Sequence, residues 1–288
     1  MNEFMLKRMG MIMEPESGNP REIEGVLNPA AVRGPDGELY LFPRLVARGN
    51  YSRIGIARVR FNEAGDPFGV ERLGIALEPV AIPNHSGKMQ MGILHRPLFY
   101  GTRPEETVKH PKSREVDLNH ESIWISYCPM ALKGPEPIKL GLFNSHHRLA
   151  TPVSPWERLK IGGGTPPILT RHGWLIIYHG VGEMDEFVNG IHRLCYSAGV
   201  MVLSKEHPQV IRYRSAEPVL IPVLPQERIG TIGNVVFPTG IDQRLDLGTP
   251  DRFDVYYGMA DNRIGVARLD LPDSLPPGRV ANHPEAKV

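Results

Sequence analysis

Glycine and proline interrupt this chain so often that no long helix has room to form. The 288 residues include 30 glycines and 28 prolines, spread along the whole length. Proline removes a backbone donor and glycine weakens regular structure, so both residues punctuate the chain into short segments. Most of the intervening runs are apolar or alternate between apolar and polar residues, as strands do. The sequence therefore predicts an all-β protein made of many short strands joined by turns.

A repeated unit organises these strands. Each copy opens with a proline, passes through a polar turn containing glycine to an aromatic or aliphatic strand, and continues into a second strand. Copies begin at Pro29, Pro167 and Pro238, and a looser copy with a polar insertion over residues 99–120 begins at Pro83. A unit of this size cannot bury both of its faces alone, so neighbouring units are expected to stack.

The stacked units predict a β-propeller, in which blades of four strands surround a channel lined by inner strands and connecting loops. A β-sandwich, which also uses many short strands, is the alternative. We expect a single domain over residues 1–288 with flexible N- and C-terminal ends, the second of them a proline-rich tail from Pro272. The sequence of residues 154–160 indicates at most one turn of helix.

Charge and apolar patterning exclude several classes of partner. Lys and Arg number 33 and Asp and Glu 32, a formal charge of +1 that gives no field to attract nucleic acid or an anionic membrane. Residues 1–18 lack the apolar core of a signal peptide, and no run has the length of a membrane span, so a cytoplasmic location is expected. Cys128 and Cys195 each lie in an apolar run, which is typical of reduced, buried thiols rather than of a disulfide scaffold.

The most unusual local string is KIGGGTPPI, residues 160–168. It is not a P-loop, because that motif places its lysine after the glycines at the start of a helix, which Pro166 and Pro167 would block. Glycines let a backbone approach a ligand closely, and Lys160 could supply a point charge for an anion. A tight crossover between two blades explains the same string equally well.

Two strand ends at equivalent points of the repeat carry Arg96, in LHRP, and His179, in YHG. Equivalent ends converge in a propeller, so both residues would join Lys160 in a cationic pocket suited to phosphate. Alternatively, Arg96 pairs with a nearby carboxylate and His179 hydrogen-bonds a turn. The adjacent His146 and His147 would point to opposite faces of a strand, so no metal site is expected.

Carboxylates at comparable strand ends are candidates for sugar chemistry. Asp261 follows Tyr256 and Tyr257, and this cluster suits sugar binding because aromatic rings stack on sugar faces while a carboxylate holds hydroxyl groups. Tyr257 is accordingly a candidate for substrate binding, and a turn-forming aspartate is the alternative for Asp261. Glu121 and Glu227 are weaker candidates. Hydrolysis of a glycoside normally takes two carboxylates, whereas transfer to phosphate needs fewer, because phosphate is itself the nucleophile.

These strings together resemble glycoside hydrolase family 130, the mannoside phosphorylases and related β-mannosidases built on five-bladed β-propellers. The resemblance rests on NPAAVRGPDGELYLFPR, KIGGGTPPILTRHGWLIIYHGV, GNVVFPTG and YYGMADNRIGVARL, which cover the chain from about Gly25 to Leu271 in the family's order. It implies phosphorolysis of a β-linked mannoside or manno-oligosaccharide to mannose 1-phosphate with inversion, or hydrolysis in some members. Inorganic phosphate would be the co-substrate, and no feature indicates a metal or an organic cofactor.

The resemblance also implies roles for individual residues. One group resembles the residues that hold the mannosyl unit: Asn28, Arg44 and Asp261. Another resembles the cluster on the phosphate side: Arg96, Lys160 and His179.

The chain departs from the family at the proton donor. Family members carry a Glu-Asp-Pro-Arg segment whose aspartate protonates the glycosidic oxygen, between the first repeat and the LHRP-like strand. Here residues 74–80 run directly into AIPNHSGKMQMGILHRP, and four repeats are found where the family has five. A general acid contributes roughly 10²- to 10⁴-fold in rate. Either another carboxylate such as Glu121 substitutes, or the chain is a carbohydrate-binding propeller with little turnover. A propeller left open would expose strand edges, which favours a homo-oligomer.

Overall fold

The computed structural model describes residues 3–77, 122–127, 145–188 and 191–277, which form mostly β-structure. The strands are β1 (Leu6–Met13), β2 (Gly25–Arg33), β3 (Leu39–Ala47), β4 (Tyr51–Phe61), β5 (Pro67–Leu77), β6 (Ile123–Tyr127), β7 (Ser145–Ala150), β8 (Lys160–Gly162), β9 (Ile168–Thr170), β10 (Gly173–Val188), β11 (Ile191–Leu203), β12 (Ile211–Arg214), β13 (Val236–Gln243), β14 (Arg252–Met259) and β15 (Arg263–Asp270). Helix is confined, in these ranges, to α1 (Pro225–Arg228) and to 3-10 turns at Pro155–Glu157 and Leu245–Leu247. The prediction of an all-β chain is confirmed. None of these helices is long and apolar enough to cross a lipid bilayer.

Antiparallel pairing groups the strands into three larger sheets and one hairpin. Sheet I has the order β2-β3-β4-β5, sheet II the order β8-β10-β11-β12 with β9 also on β10, and sheet III the order β13-β14-β15-β1. The remaining pair is β6-β7. Sheets I, II and III correspond to the repeats predicted at Pro29, Pro167 and Pro238. Most of the copy predicted at Pro83 lies outside the described residues.

The N-terminal segment differs from the flexible end that the sequence predicted. Strand β1 pairs with β15 and supplies the outermost strand of sheet III, with Leu6, Ile12 and Met13 buried. Its register shifts between Arg8 and Gly10, and again between Met11 and Met13. Each bulge moves the following residues to the other face of the sheet, so the segment shows no regular alternation. This interrupted period explains why the strand is hard to recognise in the sequence.

The sheets stack through apolar faces, as the repeat predicted. Sheets II and III share a core that includes Leu175, Ile177, Val200, Val255, Phe253 and Leu269. Sheets I and III share a second core that includes Leu39, Leu41, Val59, Tyr256 and Val266. The β6-β7 pair covers the other face of sheet II with Ile123, Leu149 and Ala150. Because sheets II and III are covered on both faces, their central strands are apolar throughout rather than alternating.

An ionic network also joins sheet I to sheet III. Arg244 is fully buried, pairs with Asp254 and Asp246, and lies with its guanidinium 4.6 Å from the centre of the Phe61 ring. Arg33 of β2 donates two hydrogen bonds, of 3.0 and 2.7 Å, to the Asp242 carboxylate. Such groups can leave water only when they are paired and hydrogen-bonded. The network therefore fixes how the two sheets meet.

We expect one member of this network, Asp246, to make stability sensitive to acid. The hydrogen bond from Arg244 holds the pKa of the Asp246 carboxyl below its ordinary value. A depressed folded-state pKa contributes stability above the unfolded value of about 3.9 and loses it as pH falls further. At pH 7 we expect Asp246→Asn to lower the free energy of unfolding by about 1 kcal/mol or less, since the side chain is partly exposed. Urea titrations at pH 7 and pH 3 should show this difference shrinking with acid; a constant difference would contradict the assignment.

Of the two cysteines, Cys195 lies half-buried in β11 as a free thiol, 3.5 Å from the Ser197 hydroxyl. Burial raises the pKa of this thiol, which keeps it protonated. Cys128 lies outside the described residues.

Candidate functional site

A cavity of about 820 Å³ lies where β2, β8 and β13 come together. Four of the residues predicted for the site line it: Asn28, Lys160, His179 and Asp261. Gly162, Gly163, Gly164, Tyr196 and Phe237 contribute to its walls. Residues far apart in the sequence, from three sheets, thus face one space.

The glycine-rich string forms the wall of the cavity beside β10. A Cβ atom on Gly162 would lie 2.3 Å from His179 Cε1, and one on Gly164 would lie 2.1 Å from the Ile177 carbonyl oxygen. The Thr165 N–H donates to that same oxygen at 2.9 Å. Both glycines are therefore required by close packing against β10. The string is not the predicted crossover between two blades, because it links β8 to β9 and both strands pair with β10 of sheet II. This link borders the cavity.

Lys160 begins β8, opposite Val181 of β10. Its Nζ lies 5.4 Å from the centre of the Tyr196 ring, within the range of a cation–π contact. Within the described ranges no carboxylate forms an ion pair with it. A lysine whose charge is not neutralised by a carboxylate is suited to an anionic ligand.

His179 lies in the middle of β10, not at the end of a strand as the sequence predicted, and is 7% exposed. Its Nδ1 is 2.7 Å from the Gly163 carbonyl oxygen, and because a carbonyl only accepts, Nδ1 must carry the proton. The ring centre is 4.2 Å from that of Phe237. The imidazole is thus fixed by a hydrogen bond on one side and an aromatic ring on the other.

Gly162→Ala is expected to displace the His179 ring, because the new Cβ would overlap Cε1. Gly163→Ala is the matched control, since a Cβ there meets no atom within 4 Å. We expect the ring ¹H–¹⁵N signals of His179 to move in the first variant and to stay in place in the second. Equal spectra for the two variants would mean that the close approach does not determine the ring position.

Asn28, in β2, and Asp261, in the turn between β14 and β15, also line the cavity. Both adopt left-handed backbone angles, each with φ of 48°, which asparagine and aspartate tolerate better than other residues. The Asn28 Oδ1 atom is buried without a hydrogen-bond partner in the described part of the chain, and a Cβ on Gly258 would lie 2.6 Å from it. Burying an unpaired polar atom costs free energy, so such an atom beside a cavity indicates a ligand site.

The Asp261 carboxyl is half-buried and has no hydrogen bond or ion pair with another residue in the described ranges. Burial raises its pKa, and the charge of Arg44 partly offsets that effect. Arg44 itself lies outside the cavity lining and donates to Ser52 Oγ at 2.8 Å and to Asn50 Oδ1 at 2.6 Å. Arg44 thus acts on Asp261 through its charge.

Tyr257 does not face the cavity. It is 1% exposed, packs in the core between sheets II and III, and donates from its hydroxyl to Glu227 Oε1 at 2.9 Å. The structure therefore places this predicted substrate-binding residue in the interior, where its hydroxyl is already used. Glu227 is likewise fully buried and ion-paired with Arg8, so it also lies away from the cavity.

The aromatic residues of the cavity are Tyr196 and Phe237, which the sequence analysis did not single out. Phe237 stands in GNVVFPTG, one of the strings that carry the family resemblance, and Tyr196 lies in the second strand of the repeat that begins at Pro167. Strand alternation alone cannot tell which aromatic residue in a string faces the channel, because the sheets are apolar on both sides.

Two other predicted site residues, Arg96 and Glu121, lie outside the described residues. Within the described ranges, Asp261 supplies the one carboxylate of the cavity lining, and no group of three metal-ligating side chains occurs.

Comparison with known proteins identifies the family. A family model described as beta-1,4-mannooligosaccharide phosphorylase matches residues 114–275, more than half of the chain. The chain belongs to glycoside hydrolase family 130. The family was predicted from the strings quoted above, and that prediction is confirmed.

Curated relatives are phosphorylases. A beta-1,4-mannooligosaccharide phosphorylase of Ruminococcus albus is 37% identical over 131 residues, which are 46% of this chain and 36% of the relative. A beta-1,2-mannobiose phosphorylase of Thermoanaerobacter sp. is 41% identical over 115 residues, 40% of this chain and 33% of the relative. A beta-1,2-mannobiose phosphorylase of Listeria innocua is 26% identical over 250 residues, 81% of this chain and 62% of the relative. The chain thus spans about a third of the length of the first two relatives and 62% of the third.

Solved structures of glycoside hydrolases share the fold. One, from a study of glycoside hydrolases that target β-1,2 mannosidic linkages in Candida mannan, has a TM-score of 0.58 at 16% identity and covers 95% of each chain. A glycosyl hydrolase from Bacteroides ovatus has a TM-score of 0.54 at 16% identity, covering 99% of this chain and 97% of its own.

Proposed function

We propose that this protein transfers a mannosyl unit from a β-mannoside to inorganic phosphate, giving mannose 1-phosphate. The observation that carries the proposal is one cavity lined by a lysine, a histidine, an asparagine and a carboxylate that has no ion pair within the described ranges. Membership of family 130 supports it, as do the phosphorylase activities of the curated relatives.

The cationic side of the cavity suits phosphate. Lys160 offers a positive charge to phosphate oxygens, and His179 offers a ring held in a fixed orientation. Arg96 joins this side by its resemblance to the family's phosphate cluster. Desolvation inside the cavity strengthens these interactions relative to bulk water.

The remainder of the cavity lining suits the mannosyl unit. Asn28 and Asp261 would bond sugar hydroxyls, Arg44 would balance the charge of Asp261, and the Tyr196 and Phe237 rings would pack against apolar sugar faces. In the reaction, the bond from the anomeric carbon to the leaving oxygen breaks and a bond to phosphate oxygen forms, through an oxocarbenium-like transition state. The leaving oxygen must receive a proton, and Glu121 remains the candidate donor.

The architecture proposed for this site is a β-propeller that forms a single domain. Sheets I, II and III would be its blades, each with a row of four strands and sheet II with β9 as a fifth, and the cavity would lie at the mouth of the central channel. The stacking of sheet III between sheets I and II supports the proposal, as does the completion of sheet III by the N-terminal strand.

A second candidate is a carbohydrate-binding propeller with little or no turnover. One observation favours it: across the described ranges, the cavity lining contains a single carboxylate, Asp261. Hydrolysis would take two carboxylates and is the least favoured of the three outcomes.

Product analysis separates these functions. β-1,2- and β-1,4-linked mannosides are incubated with and without inorganic phosphate, and mannose 1-phosphate and free mannose are measured. We expect mannose 1-phosphate, formed only in the presence of phosphate. Free mannose in both buffers would establish a hydrolase, and no product from a folded sample that binds mannoside would establish the binding protein.

Asp261→Asn is expected to lower the activity and to raise the free energy of unfolding. A hydrogen bond to a charged group contributes about 1.5–3 kcal/mol, so kcat/KM for the mannoside should fall on the order of 100-fold. The raised pKa means that the ionised carboxylate is disfavoured in the folded state at pH 7, so its removal should increase the free energy of unfolding. Asp185→Asn, at an exposed position, is the control. Loss of both activity and stability in Asp261→Asn would contradict this role.

A further inference from the structure

Three segments share the tripeptide Pro-x-Glu, and each leads into the first strand of one of the larger sheets. They are Pro20–Glu22 before β2, Pro155–Glu157 before β8 and Pro225–Glu227 before β13. The glutamates are 2%, 0% and 0% exposed. Each accepts hydrogen bonds from an arginine on the outermost strand of the same sheet: Arg72 of β5, Arg214 of β12 and Arg8 of β1.

The Glu157 network binds together the segment before β8 and two strands of sheet II. Glu157 Oε1 accepts from Arg214 at 2.7 Å and from the N–H groups of Val153 and Ser154 at 3.0 and 3.1 Å. The Tyr178 hydroxyl donates to Glu157 Oε2 at 2.9 Å and accepts from Arg214 Nε at 3.0 Å. The Glu157 carboxylate, the Tyr178 hydroxyl and the Arg214 guanidinium hydrogen-bond to one another. Because Glu157 is also fully buried, this network does not itself contact a ligand.

This network is connected through the backbone to Lys160 and His179, the cationic residues of the cavity. Lys160 follows Glu157 by three residues, and His179 follows Tyr178 in β10. The Leu159 N–H donates to the Val181 carbonyl at 3.0 Å, which joins the two segments beside Lys160. Fixing Glu157 against Tyr178 therefore fixes the backbone spacing of Lys160 and His179.

The Glu227 network repeats the arrangement in sheet III. Glu227 Oε2 accepts from the N–H groups of Val223 and Leu224 at 2.8 and 3.0 Å, and Oε1 accepts from Arg8 Nε at 2.8 Å and from the Tyr257 hydroxyl at 2.9 Å. Like the first network, this one contains two backbone N–H donors, one tyrosine and one arginine.

The second network leads to the sugar side of the cavity. The Val235 N–H donates to the Glu227 carbonyl at 2.9 Å, and the Ala260 N–H donates to the Val235 carbonyl at 3.0 Å. Asp261 is the next residue, and Val235 itself lines the cavity. A two-bond chain thus connects Glu227 to the turn that carries Asp261.

We propose that the two networks position the two sides of the cavity separately: Glu157, Tyr178 and Arg214 hold Lys160 and His179, while Glu227, Tyr257 and Arg8 hold Asp261. The proposal rests on the proposed function for its two ligands, phosphate and mannose. Binding sites need their side chains fixed by a surrounding shell of hydrogen bonds, and repeated units supply the same shell to different sides of one channel. Tyr257 enters the site in this indirect way, as a positioning residue.

Tyr178→Phe and Tyr257→Phe test the separation, because each removes one hydroxyl and keeps the Glu–Arg ion pair that the fold needs. In ligand-free protein, we expect Tyr178→Phe to move the ring signals of His179 and leave the carboxyl ¹³C titration of Asp261 unchanged. Tyr257→Phe should do the reverse. In calorimetric titrations, we expect Tyr178→Phe to weaken the binding of inorganic phosphate about tenfold and Tyr257→Phe to weaken the binding of mannose about tenfold. Each variant should have little effect on the binding of the other ligand.

If each variant changes only its own NMR signal and its own ligand's binding, the networks have a positioning role and not a general structural one. If both variants move both signals, or if neither moves its own signal while stability falls, the networks serve only the fold and the proposal is overturned. Wild-type protein that binds neither phosphate nor mannose would count against the proposed function instead. In that case, the two NMR measurements on ligand-free protein still test whether the networks position the cavity residues.

Discussion

Lys160→Ala is expected to lower phosphate-dependent turnover by roughly 10²- to 10³-fold, the effect of removing one fixed group that stabilises transition-state charge. The loss should appear in kcat/KM for phosphate, measured as mannose 1-phosphate formed. The free energy of unfolding should change by about 1 kcal/mol or less, because the substitution removes a cation–π interaction with Tyr196 and no ion pair within the described ranges.

Two further variants calibrate this result. Lys205→Ala removes an exposed lysine away from the cavity and should leave turnover unchanged. Lys160→Arg keeps the positive charge and should retain more activity than the alanine variant, although the planar guanidinium differs in shape. Equal losses of turnover and stability in Lys160→Ala would mean that the lysine serves the fold and not phosphate.

Arg244→Met is expected to cost about 3–5 kcal/mol of unfolding free energy, because it leaves buried carboxylates without their shared cation. Asp254 is fully buried and Asp242 nearly so, and both lie within ion-pair distance of Arg244. Arg268 still bonds Asp254 at 2.8 Å, so the loss should fall short of complete unfolding. Urea unfolding at pH 7 measures the change.

Arg252→Met is the matched control for this substitution. Arg252 pairs with Asp270 at 2.7 Å, but the two side chains are 33% and 49% exposed. Surface pairs of this kind contribute about 0–1 kcal/mol. Similar losses in the two variants would show that burial of the network does not determine its contribution.

Much of the candidate site could be predicted from short strings. Lys160, His179, Asn28 and Asp261 were identified in the sequence, and the structure brings all four to one cavity. Asp261 lies in the turn between β14 and β15 and Lys160 begins β8, so these two lie at strand ends as the sequence predicted. Asn28 lies at a register shift inside β2, and His179 lies inside β10. Polar side chains at turns and irregular positions are solvated or bind ligands more often than those in regular apolar strands.

The choice among aromatic residues could not be predicted in the same way. Tyr256 and Tyr257 stand beside each other and point to opposite faces of β14, yet both faces are buried, one against sheet I and one against sheet II. Alternation identifies the two faces of a strand but not which face borders a channel. The packing of sheets decides that, and it placed Tyr196 and Phe237 in the cavity.

The sequence by itself determined the all-β class, the repeated unit and the family, because these depend on local features: turn residues, strand periodicity and contiguous strings. The tertiary structure decided the partners of the charged residues. Arg8 is separated from Glu227 by 219 positions, and Arg33 from Asp242 by 209. No local pattern specifies such pairs, since they form only when distant segments of the chain meet, at sheet III for the first pair and between sheets I and III for the second. The same long-range contacts make β1 part of sheet III and bring Asn28 and Lys160 to one cavity.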